Sequence, residues 1–535
     1  MKVYNYISIL LLASVAAFTS CSQDEEASDT DRLFLQNFQI NIFDGGFQYM
    51  DINSTRATES DYSTKFAEGD AIGIFAVKGE AIVGEINNRK FTMQDGIWTL
   101  DDDGDVIEYK GSEYQKMKFY AYYPFNKSVT FDPTKSDPFE AYVKSWKIGG
   151  DQSEGEYTKY DLMTSIGTVE GDRLKGKISF NMKHQMALAV IQMPELVYTF
   201  TNSNINDYKL PVTPGLFMLN TTEAVPYYQE STGTYRFLVN PQSSFTIKGT
   251  YTGAKEMEYT ASGTLQSGTA KKYKISDSNT INHTLQLGDY YCADGKIVSK
   301  DAEIIPENCI GIVCYAGNPQ PSITAASTYT ETQDALRRDY PNCNHGVVLS
   351  LNNAVYNDAS SGQFHENKDI AATYGDWFSS DENWTGKFDN CNTANGSTVP
   401  ETRYPAFMGY NNTTLLTMCY EGKGSQTVCN YAYNFITAYR NTVTVPAATS
   451  PWYLPSVVCW NQVAANLNAI NGSLNKVTNA EQMTSTTSGA LTGHYWTSTQ
   501  RNGTFQWTHA MDGGNYSIIC ERGSRAGYFR MMLAF

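Results

Sequence analysis

The sequence predicts a mainly β protein in which two β-sandwich domains are followed by an α+β domain. Short runs of alternating apolar and polar residues, separated by turn residues, fill the first half of the chain. Tyrosine (37 residues) and glycine (41 residues) are abundant, which favours strands and tight turns. One of the ten cysteines is Cys21 and all the others follow residue 290, so the composition itself divides the chain near that point.

Composition also limits the class of protein. With 41% hydrophobic residues the chain can bury extensive cores, and its 535 residues indicate several domains rather than one. A net charge of −16 at pH 7 disfavours binding to nucleic acid or to an anionic membrane surface. We therefore expect an exported, β-rich protein with no nucleic-acid partner.

The N-terminal residues are typical of an export signal. Lys2 precedes an apolar run from Ile7 to Phe18 that is too short to span a bilayer, and small residues lead to Cys21. This pattern resembles a bacterial lipobox, with residues 1–20 as the signal peptide and Cys21 as the lipidation site. Residues 21–36 would be an acidic tether, either a surface-export signal or a plain linker. The resemblance implies a surface-exposed lipoprotein anchored in the outer membrane.

Residues 37–288 are predicted to form strands. The segment Phe38–Phe43 alternates apolar and polar residues and ends at the turn Asp44-Gly45-Gly46. His184 is predicted to be a packed core histidine, because no base or nucleophile lies near it in the sequence. Further strands are predicted at 71–77, 117–123, 178–182, 186–193, 234–239, 244–251 and 271–275.

Six motifs follow one another in this part of the chain. They are Thr55-Arg56-Ala57-Thr58, Phe66-x-x-Gly69-Asp70-x-Ile72-Gly73-Ile74-Phe75-Ala76, Trp98, Phe119-Tyr120-Ala121-Tyr122-Tyr123-Pro124, Asp161-Leu162-Met163 and Phe180-x-x-x-His184-x-Met186-Ala187. In this order they resemble the fimbrillin family, the type V pilins and related surface lipoproteins of Gram-negative anaerobes. The resemblance implies two transthyretin-like β-sandwich domains, which we place at residues 37–195 and 196–288.

The same resemblance implies a mechanism of assembly. In that family an Arg-specific protease cuts after an arginine in the loop that follows the first strand, and a donor strand from another pilin subunit fills the groove that is left. The matching bond here is Arg56–Ala57, and the removable strand is Phe38–Phe43. The alternative is that Arg56 is an ordinary exposed loop arginine.

Residues 289–535 have a different composition and are predicted to form an α+β domain. A helix is expected to begin after Ser456, with Val463, Leu467 and Ile470 on one face. Strands are predicted at 310–313, 346–351, 495–499, 505–511, 516–521 and 528–535, and residues 352–450 match no known motif.

Three motifs of this domain resemble C-type-lectin-like modules of bacterial surface proteins: Trp452-Tyr453-Leu454-Pro455-Ser456, Tyr495-Trp496-Thr497-Ser498-Thr499 and Arg530-x-x-Leu533-Ala534-Phe535. The pieces around Cys309 and His345 resemble the C-terminal domains of tip-located fimbrillin relatives. The resemblance implies a lectin-like head domain at residues 289–535.

A stretch rich in Gly, Ser and Asn supplies the candidate ligand-binding residues of this head. Aromatic rings stack on sugars, and carboxylates and amides bind hydroxyl groups, so the candidates are Trp377, Asp381, Trp384, Asp389 and Asn390. The alternative is that both tryptophans anchor a long loop to its own core. The nine cysteines after residue 290 either form up to four disulfides or stay reduced and buried.

We expect a structural and adhesive subunit of a type V pilus, a minor or tip subunit, rather than an enzyme. Its expected partners are other pilin subunits, a host or bacterial surface glycan or protein, and the outer membrane through the lipid anchor. The alternative is a surface glycan-binding lipoprotein that never polymerises. No cofactor or metal is expected, because neither a metal-binding spacing of cysteines nor a convergent catalytic set occurs in the sequence.

Overall fold

The computed structural model describes residues 32–34, 39–49, 62–101, 108–171, 176–276, 279–327, 329–366, 407–422, 429–483, 494–501, 505–511, 517–522 and 526–535. Contacts between residues divide the chain into two compact units. The first unit consists of Met1–Gln192, Gly215–Thr250 and Glu258–Ile275, and the second consists of Met193–Pro214, Tyr251–Met257 and Ser276–Phe535.

Strands are the main elements of the described chain up to residue 283. They are β1 (Arg32–Phe34), β2 (Gln39–Asp44), β3 (Gln48–Tyr49), β4 (Ala71–Lys78), β5 (Ala81–Ile82), β6 (Arg89–Gln94), β7 (Ile97–Leu100), β8 (Glu108–Lys110), β9 (Lys118–Tyr123), β10 (Met163–Gly171), β11 (Gly176–His184), β12 (Ala187–Gln192), β13 (Glu195–Phe200), β14 (Tyr208–Pro211), β15 (Thr213–Leu219), β16 (Thr222–Ala224), β17 (Tyr227–Gln229), β18 (Thr234–Val239), β19 (Ser244–Thr252), β20 (Glu256–Thr264), β21 (Thr269–Lys274) and β22 (Thr280–His283).

The remaining strands and most of the helices lie after residue 289. The strands are β23 (Tyr290–Cys292), β24 (Ile297–Val298), β25 (Cys309–Ala316), β26 (Gly346–Asn353), β27 (Ser361–Gly362), β28 (Tyr495–Gln500), β29 (Phe505–Ala510), β30 (Ser517–Arg522), β31 (Gly527–Tyr528) and β32 (Arg530–Ala534). The α-helices of the described chain are α1 (Glu140–Ser145), α2 (Tyr157–Tyr160), α3 (Pro321–Thr324), α4 (Ala335–Asp339), α5 (Gly409–Gly422), α6 (Asn430–Thr442), α7 (Val457–Ala465) and α8 (Leu467–Leu474). Short 3₁₀ helices occur at Gly84–Ile86, Gly111–Lys116 and Glu331–Gln333.

Two sheets form the framework of the first unit. The larger has the order β2-β11-β10-β9-β4-β6-β7, with β5 beside β4, and the smaller has the order β17-β18-β12-β21-β3. In the larger sheet β2 is parallel to β11 and the other neighbours are antiparallel. The larger sheet curls, so that its first strand, β2, also lies against its last, β7.

Strand β4 shows why the larger sheet is apolar on both faces. Ile72 and Ile74 point into a core enclosed by the curl of this sheet, together with Phe119 and Phe180. Phe75 and Val77 point the other way, into a second core shared with Leu188 and Leu238 of the smaller sheet. Because successive side chains of a strand alternate in direction, a strand between two cores is apolar at nearly every position.

The second unit mixes sheets and helices. Its sheets have the orders β14-β13-β22, β24-β23-β25-β26-β32 and β27-β31-β28-β29-β30. Helix α7 packs against β25, β28 and β29, helix α8 packs against β25, and α5 packs against β28. An additional sheet of the chain has the order β16-β15-β19-β20.

The prediction of a mainly β protein is confirmed, and most predicted strands agree with the structure to within two residues at each end. The single helix predicted after Ser456 is instead two helices, α7 and α8. The break occurs at Asn466, whose backbone leaves helical geometry (φ −123°, ψ 24°). Its amide side chain bonds the carbonyl of Gln462 at 2.9 Å. No helix in the described part of the chain is long and apolar enough to cross a bilayer.

Replacing Gly73 of β4 by Ala should destabilise the first unit. An added Cβ would lie 2.2 Å from the Tyr122 ring and 2.7 Å from Asn88 Oδ1, and the Tyr122 hydroxyl is itself hydrogen-bonded to Asn88 at 2.8 Å. Overpacking of this kind typically costs about 1–3 kcal/mol. Chemical denaturation of Gly73→Ala should show this loss, whereas the control Gly84→Ala, which meets nothing within 4 Å, should stay near wild type. Equal stability of the two variants would contradict the packing described here.

Candidate functional site

The structure describes only part of what the sequence singled out. Cys21, Arg56, Ala57, Trp377, Asp381, Trp384, Asp389 and Asn390 lie outside the described residues, so their roles in lipidation, cleavage and ligand binding stay predictions. The removable strand predicted at Phe38–Phe43 is described, one residue later, as β2 (Gln39–Asp44). Strand β2 and the groups that hold it form the candidate site.

Strand β2 is the edge strand of the larger sheet. It runs parallel to β11, from Gln39 beside Lys177 to Asp44 beside Met182. Its residue Ile40 is buried and Ile42 is partly buried in the core of the curled sheet. Phe43 points outward and is 56% exposed. The strand is therefore held on one side by backbone hydrogen bonds and on one face by apolar contacts, as a replaceable strand would be.

A small, partly open pocket lies where β2 meets the opposite end of the sheet. It has a volume of about 190 Å³ and is lined by residues 39–43 and by Met93, Gly96, Ile97 and Trp98. The curl of the sheet is thus not tightly sealed where β2 faces β7.

A buried charge cluster holds the end of β2. His184, at the end of β11, places its Nε2 2.8 Å from Asp44 Oδ1 and its Nδ1 2.8 Å from Asp161 Oδ1. The three side chains are at most 3% exposed. Asp44 Oδ2 accepts a hydrogen bond from the backbone N–H of Thr64, and Asp44 Oδ1 accepts one from Gly46. The prediction that His184 is a packed core histidine is confirmed, and its two ring nitrogens both face carboxylates.

The residues just after β2 add further contacts to the same place. The Phe47 ring stacks on the His184 imidazole with 3.7 Å between ring centroids. The Phe47 N–H donates to Tyr62 O at 3.1 Å. Strand β3 then pairs in parallel with β21 of the smaller sheet, with Gln48 beside Thr269. The segment from Gln39 to Tyr49 therefore contributes an edge strand to each of the two sheets of the first unit.

The ionisation of His184 follows from this geometry. Burial lowers the pKa of His184, but the two carboxylates, Asp161 foremost, outweigh burial and raise that pKa to about 9. Burial also raises the pKa of Asp44, but the hydrogen bond and charge of His184 and the two backbone N–H donors bring it below its usual value. At neutral pH the cluster is therefore an imidazolium between two carboxylates.

The other ionisable groups near the cluster do not compete for this proton. Tyr123 and Tyr157 both feel the charge of Asp161, and burial is the main cause that raises the pKa of each phenol. Both therefore stay neutral at physiological pH. The cation of Arg236 also acts on Tyr157 and stacks over the Tyr62 ring at 5.2 Å.

Strand β32 is held more firmly than β2, because both of its edges are hydrogen-bonded. One edge pairs with β26, with Met532 beside Leu349 and Ala534 beside Val347. The other edge is bonded to residues 450–453: Tyr453 and Met532 exchange two backbone hydrogen bonds of 2.7 and 2.9 Å. All five residues of β32 are buried.

Arg530 fixes the start of β32. Its guanidinium is fully buried and donates to the backbone carbonyls of Ser350 (3.0 Å), Leu351 (2.6 Å) and Glu481 (2.7 Å). Burial lowers the pKa of Arg530, but an arginine keeps its proton even so. Strand β32 is thus bonded on both edges and anchored at one end.

Comparison with known proteins shows the family of the chain. A family model described as "Fimbrillin-like" matches residues 55–289. Over 534 residues the chain is 32% identical to the Bacteroides ovatus protein named "Putative fimbrium tip subunit Fim1C", and the match covers 94% of each chain. The chain belongs to the fimbrillin-like family. A crystal structure of a fimbrial protein from Bacteroides ovatus superposes with a TM-score of 0.59 at 28% identity, covering 94% of this chain and 99% of that one.

The sequence of this fimbrillin-like chain shows the three residues of the charge cluster but gives no sign that they lie together. In the sequence Asp44 begins a turn, and Asp161 and His184 belong to separate motifs. Asp44 and His184 are 140 positions apart, and only the parallel pairing of β2 with β11 brings them together. The one local signal of the cluster is a histidine that closely follows the apolar strand predicted at 178–182.

The charge cluster predicts how the stability of this fimbrillin-like protein changes with pH. The folded state holds the His184 proton up to about pH 9, whereas an unfolded histidine releases it near pH 6.5. Stability from this group is fully present below pH 6.5 and is lost as the pH rises to about 9, by on the order of 3 kcal/mol. Urea unfolding at pH 6.5 and 9 should show that fall in the wild type and a much smaller one in His184→Gln. A wild-type curve that is flat over this range would contradict the ion pairs.

The anchoring of β32 in this fimbrillin-like protein can be tested at Arg530. Arg530→Met removes three hydrogen bonds, of which the one to the buried Ser350 carbonyl is the costliest to lose, at about 1–3 kcal/mol. A matched control is Arg337→Met, since Arg337 is 33% exposed and pairs with the exposed Glu331. Breaking that surface pair should cost no more than about 1 kcal/mol. Guanidinium unfolding curves should separate the two variants, and equal midpoints would rule out the structural role of Arg530.

Proposed function

We propose that this fimbrillin-like protein is a pilus subunit placed at the fimbrial tip and assembled by donor-strand exchange. In this proposal a protease cuts the Arg56–Ala57 bond, the segment carrying β2 and β3 leaves, and a strand of a neighbouring subunit takes the place of β2. The observation that carries the proposal is the position of β2 as a parallel edge strand of the first unit, upstream of the predicted cut.

The location of Arg56 supports cleavage as the trigger. Arg56 lies between Tyr49, which ends β3, and Tyr62, where the described chain resumes. A cut there separates β1, β2 and β3, which all precede it, from the rest of the first unit in a single step. It would uncover the backbone edge of β11 and the apolar positions of Ile40 and Ile42, which are the two elements that a donor strand needs.

The bonding of both edges of β32 supports a position of this subunit at the end of the pilus. A subunit within a shaft has to receive one strand and donate another. Here β32 is bonded on both edges and buried, so it is not available as a donor. The relative of 32% identity is named as a fimbrium tip subunit, which is the position that such a chain would suit.

The same proposal assigns roles to regions outside the described residues. Cys21 would carry the lipid that anchors the precursor in the outer membrane. Residues 289–535 would act as a lectin-like adhesive head, with Trp377, Asp381, Trp384, Asp389 and Asn390 as ligand contacts toward a surface glycan or protein. These roles come from the sequence motifs and fit a subunit at a filament end.

A strain that carries Arg56→Ala tests cleavage and position together. We expect wild-type protein to begin at Ala57, to co-purify with pili and to be labelled by gold-conjugated antibody only at filament ends. Arg56→Ala should instead stay in the membrane fraction, begin at Cys21 and be absent from pili. Arg32→Ala is the matched control, because it removes an arginine upstream of β2 and should assemble normally.

Three outcomes would contradict parts of the proposal. Normal assembly of Arg56→Ala would refute cleavage at this bond. Label along the shaft would refute the tip position. Wild-type protein that keeps Cys21 and never appears in pili would support the surface glycan-binding lipoprotein that does not polymerise.

A further inference from the structure

We propose that the buried position of Asp44 is a carboxylate-binding socket, and that it admits only an incoming donor strand with an acidic side chain at this place. The inference rests on the proposed strand exchange and goes beyond it by naming the chemistry of the partner strand. It depends on which groups around Asp44 belong to the removed segment and which stay behind.

The groups that bind the carboxylate stay with the protein after a cut at Arg56. His184 Nε2 faces Oδ1 of Asp44, and the Thr64 N–H donates to Oδ2, so each oxygen has its own retained partner. Asp161 also stays and orients the imidazole from the other side through Nδ1. Thr64 is linked to Asp161 by a hydrogen bond of 3.4 Å from its hydroxyl. Only the Gly46 N–H and the Phe47 ring leave with the segment.

An empty socket would be unfavourable. His184 would lose the carboxylate that faces its Nε2, and removing one partner of a buried ion pair is costly. Water or an apolar strand residue would replace a charge-assisted contact by a weaker one or by none. The vacated site therefore favours a strand that restores a negative charge there.

A neutral amide replaces the carboxylate only at a cost. While His184 is protonated, both retained partners approach position 44 as donors, one at each oxygen. The NH₂ group of an asparagine would then face a donor in either orientation, and it fits only if His184 gives up the Nε2 proton and accepts from the amide. The socket thus favours a carboxylate over an amide of almost the same shape.

The register of β2 specifies where the acidic residue has to stand. Ile40, Ile42 and Asp44 alternate along the strand and share its inward face. A fitting donor therefore has the pattern apolar-x-apolar-x-acidic, in parallel with β11. Strand β32 contains Arg530, Met531, Met532, Leu533 and Ala534 and has no acidic residue, so β32 of a second copy does not fit. The partner is a subunit whose donor strand has that pattern.

Peptide competition on the full-length chain tests the socket. The chain without its lipid is cut by an Arg-specific protease in the presence of excess fluorescent peptide with the sequence of residues 37–49, and the dissociation constant is measured by fluorescence polarisation. We expect the Asp44→Asn peptide to bind at least about tenfold more weakly than the wild-type peptide. A peptide with both Gln39→Glu and Asp44→Asn keeps the charge but moves it to an exposed position, and it should bind as weakly as Asp44→Asn.

The outcomes distinguish failure of the carboxylate-binding socket from failure of the proposed strand exchange. If the wild-type and Asp44→Asn peptides enter equally well, strand exchange stands and the socket is wrong. If the cut segment leaves but no peptide enters, the proposed exchange fails and the inference fails with it. The uncut chain gives a test that needs no exchange: Asp44→Asn should lower the unfolding midpoint clearly, whereas Gln39→Glu should not. Equal midpoints would overturn the socket.

Discussion

The imidazolium of His184, buried between the carboxylates of Asp44 and Asp161, is the interaction on which the N-terminal part of this protein depends. Removing one partner of a buried ion pair typically costs about 3–5 kcal/mol, because the remaining charge is left without compensation. Asp44 comes from the segment that the proposed cleavage would release, while Asp161 and His184 stay. Asp44 therefore stabilises the uncut chain, and under the proposed cleavage its departure would leave His184 open to an acidic residue of a new strand.

Strands β2 and β32 differ in how firmly they are held. Strand β2 has one partner strand, a partly open cavity beside it and a connection that a protease could cut. Strand β32 has bonds on both edges, buried side chains and the Arg530 anchor. Under the proposed strand exchange, such a chain would accept a neighbour's strand in place of β2 and would not offer β32 in return. This difference supports the proposal that the protein stands at a filament end.

The sequence predicts strands of this protein well where local pattern decides, and poorly where tertiary contacts decide. Short runs of strand-forming residues bounded by turn residues identified β2, β4, β9 and β18 closely, but they did not reveal that β2 pairs in parallel with β11. Helices α5 and α6 lay in the stretch that matched no known motif. In α5 the polar residues Asn411, Asn412 and Thr413 are buried, so no apolar stripe marks the helix. The Asp44–His184 contact depends on the pairing of distant strands, which no local pattern encodes.

The most direct test of this account is to determine which chain supplies the strand beside β11 in assembled pili. Cryo-electron microscopy of filament ends, at a resolution that identifies side chains, would show the residues next to Lys177–Met182. The account predicts a strand of a neighbouring subunit there, with an acidic side chain against His184 and no density for Gln39–Asp44 of the same chain. Finding Gln39–Asp44 still paired with β11 in the assembled filament would contradict it.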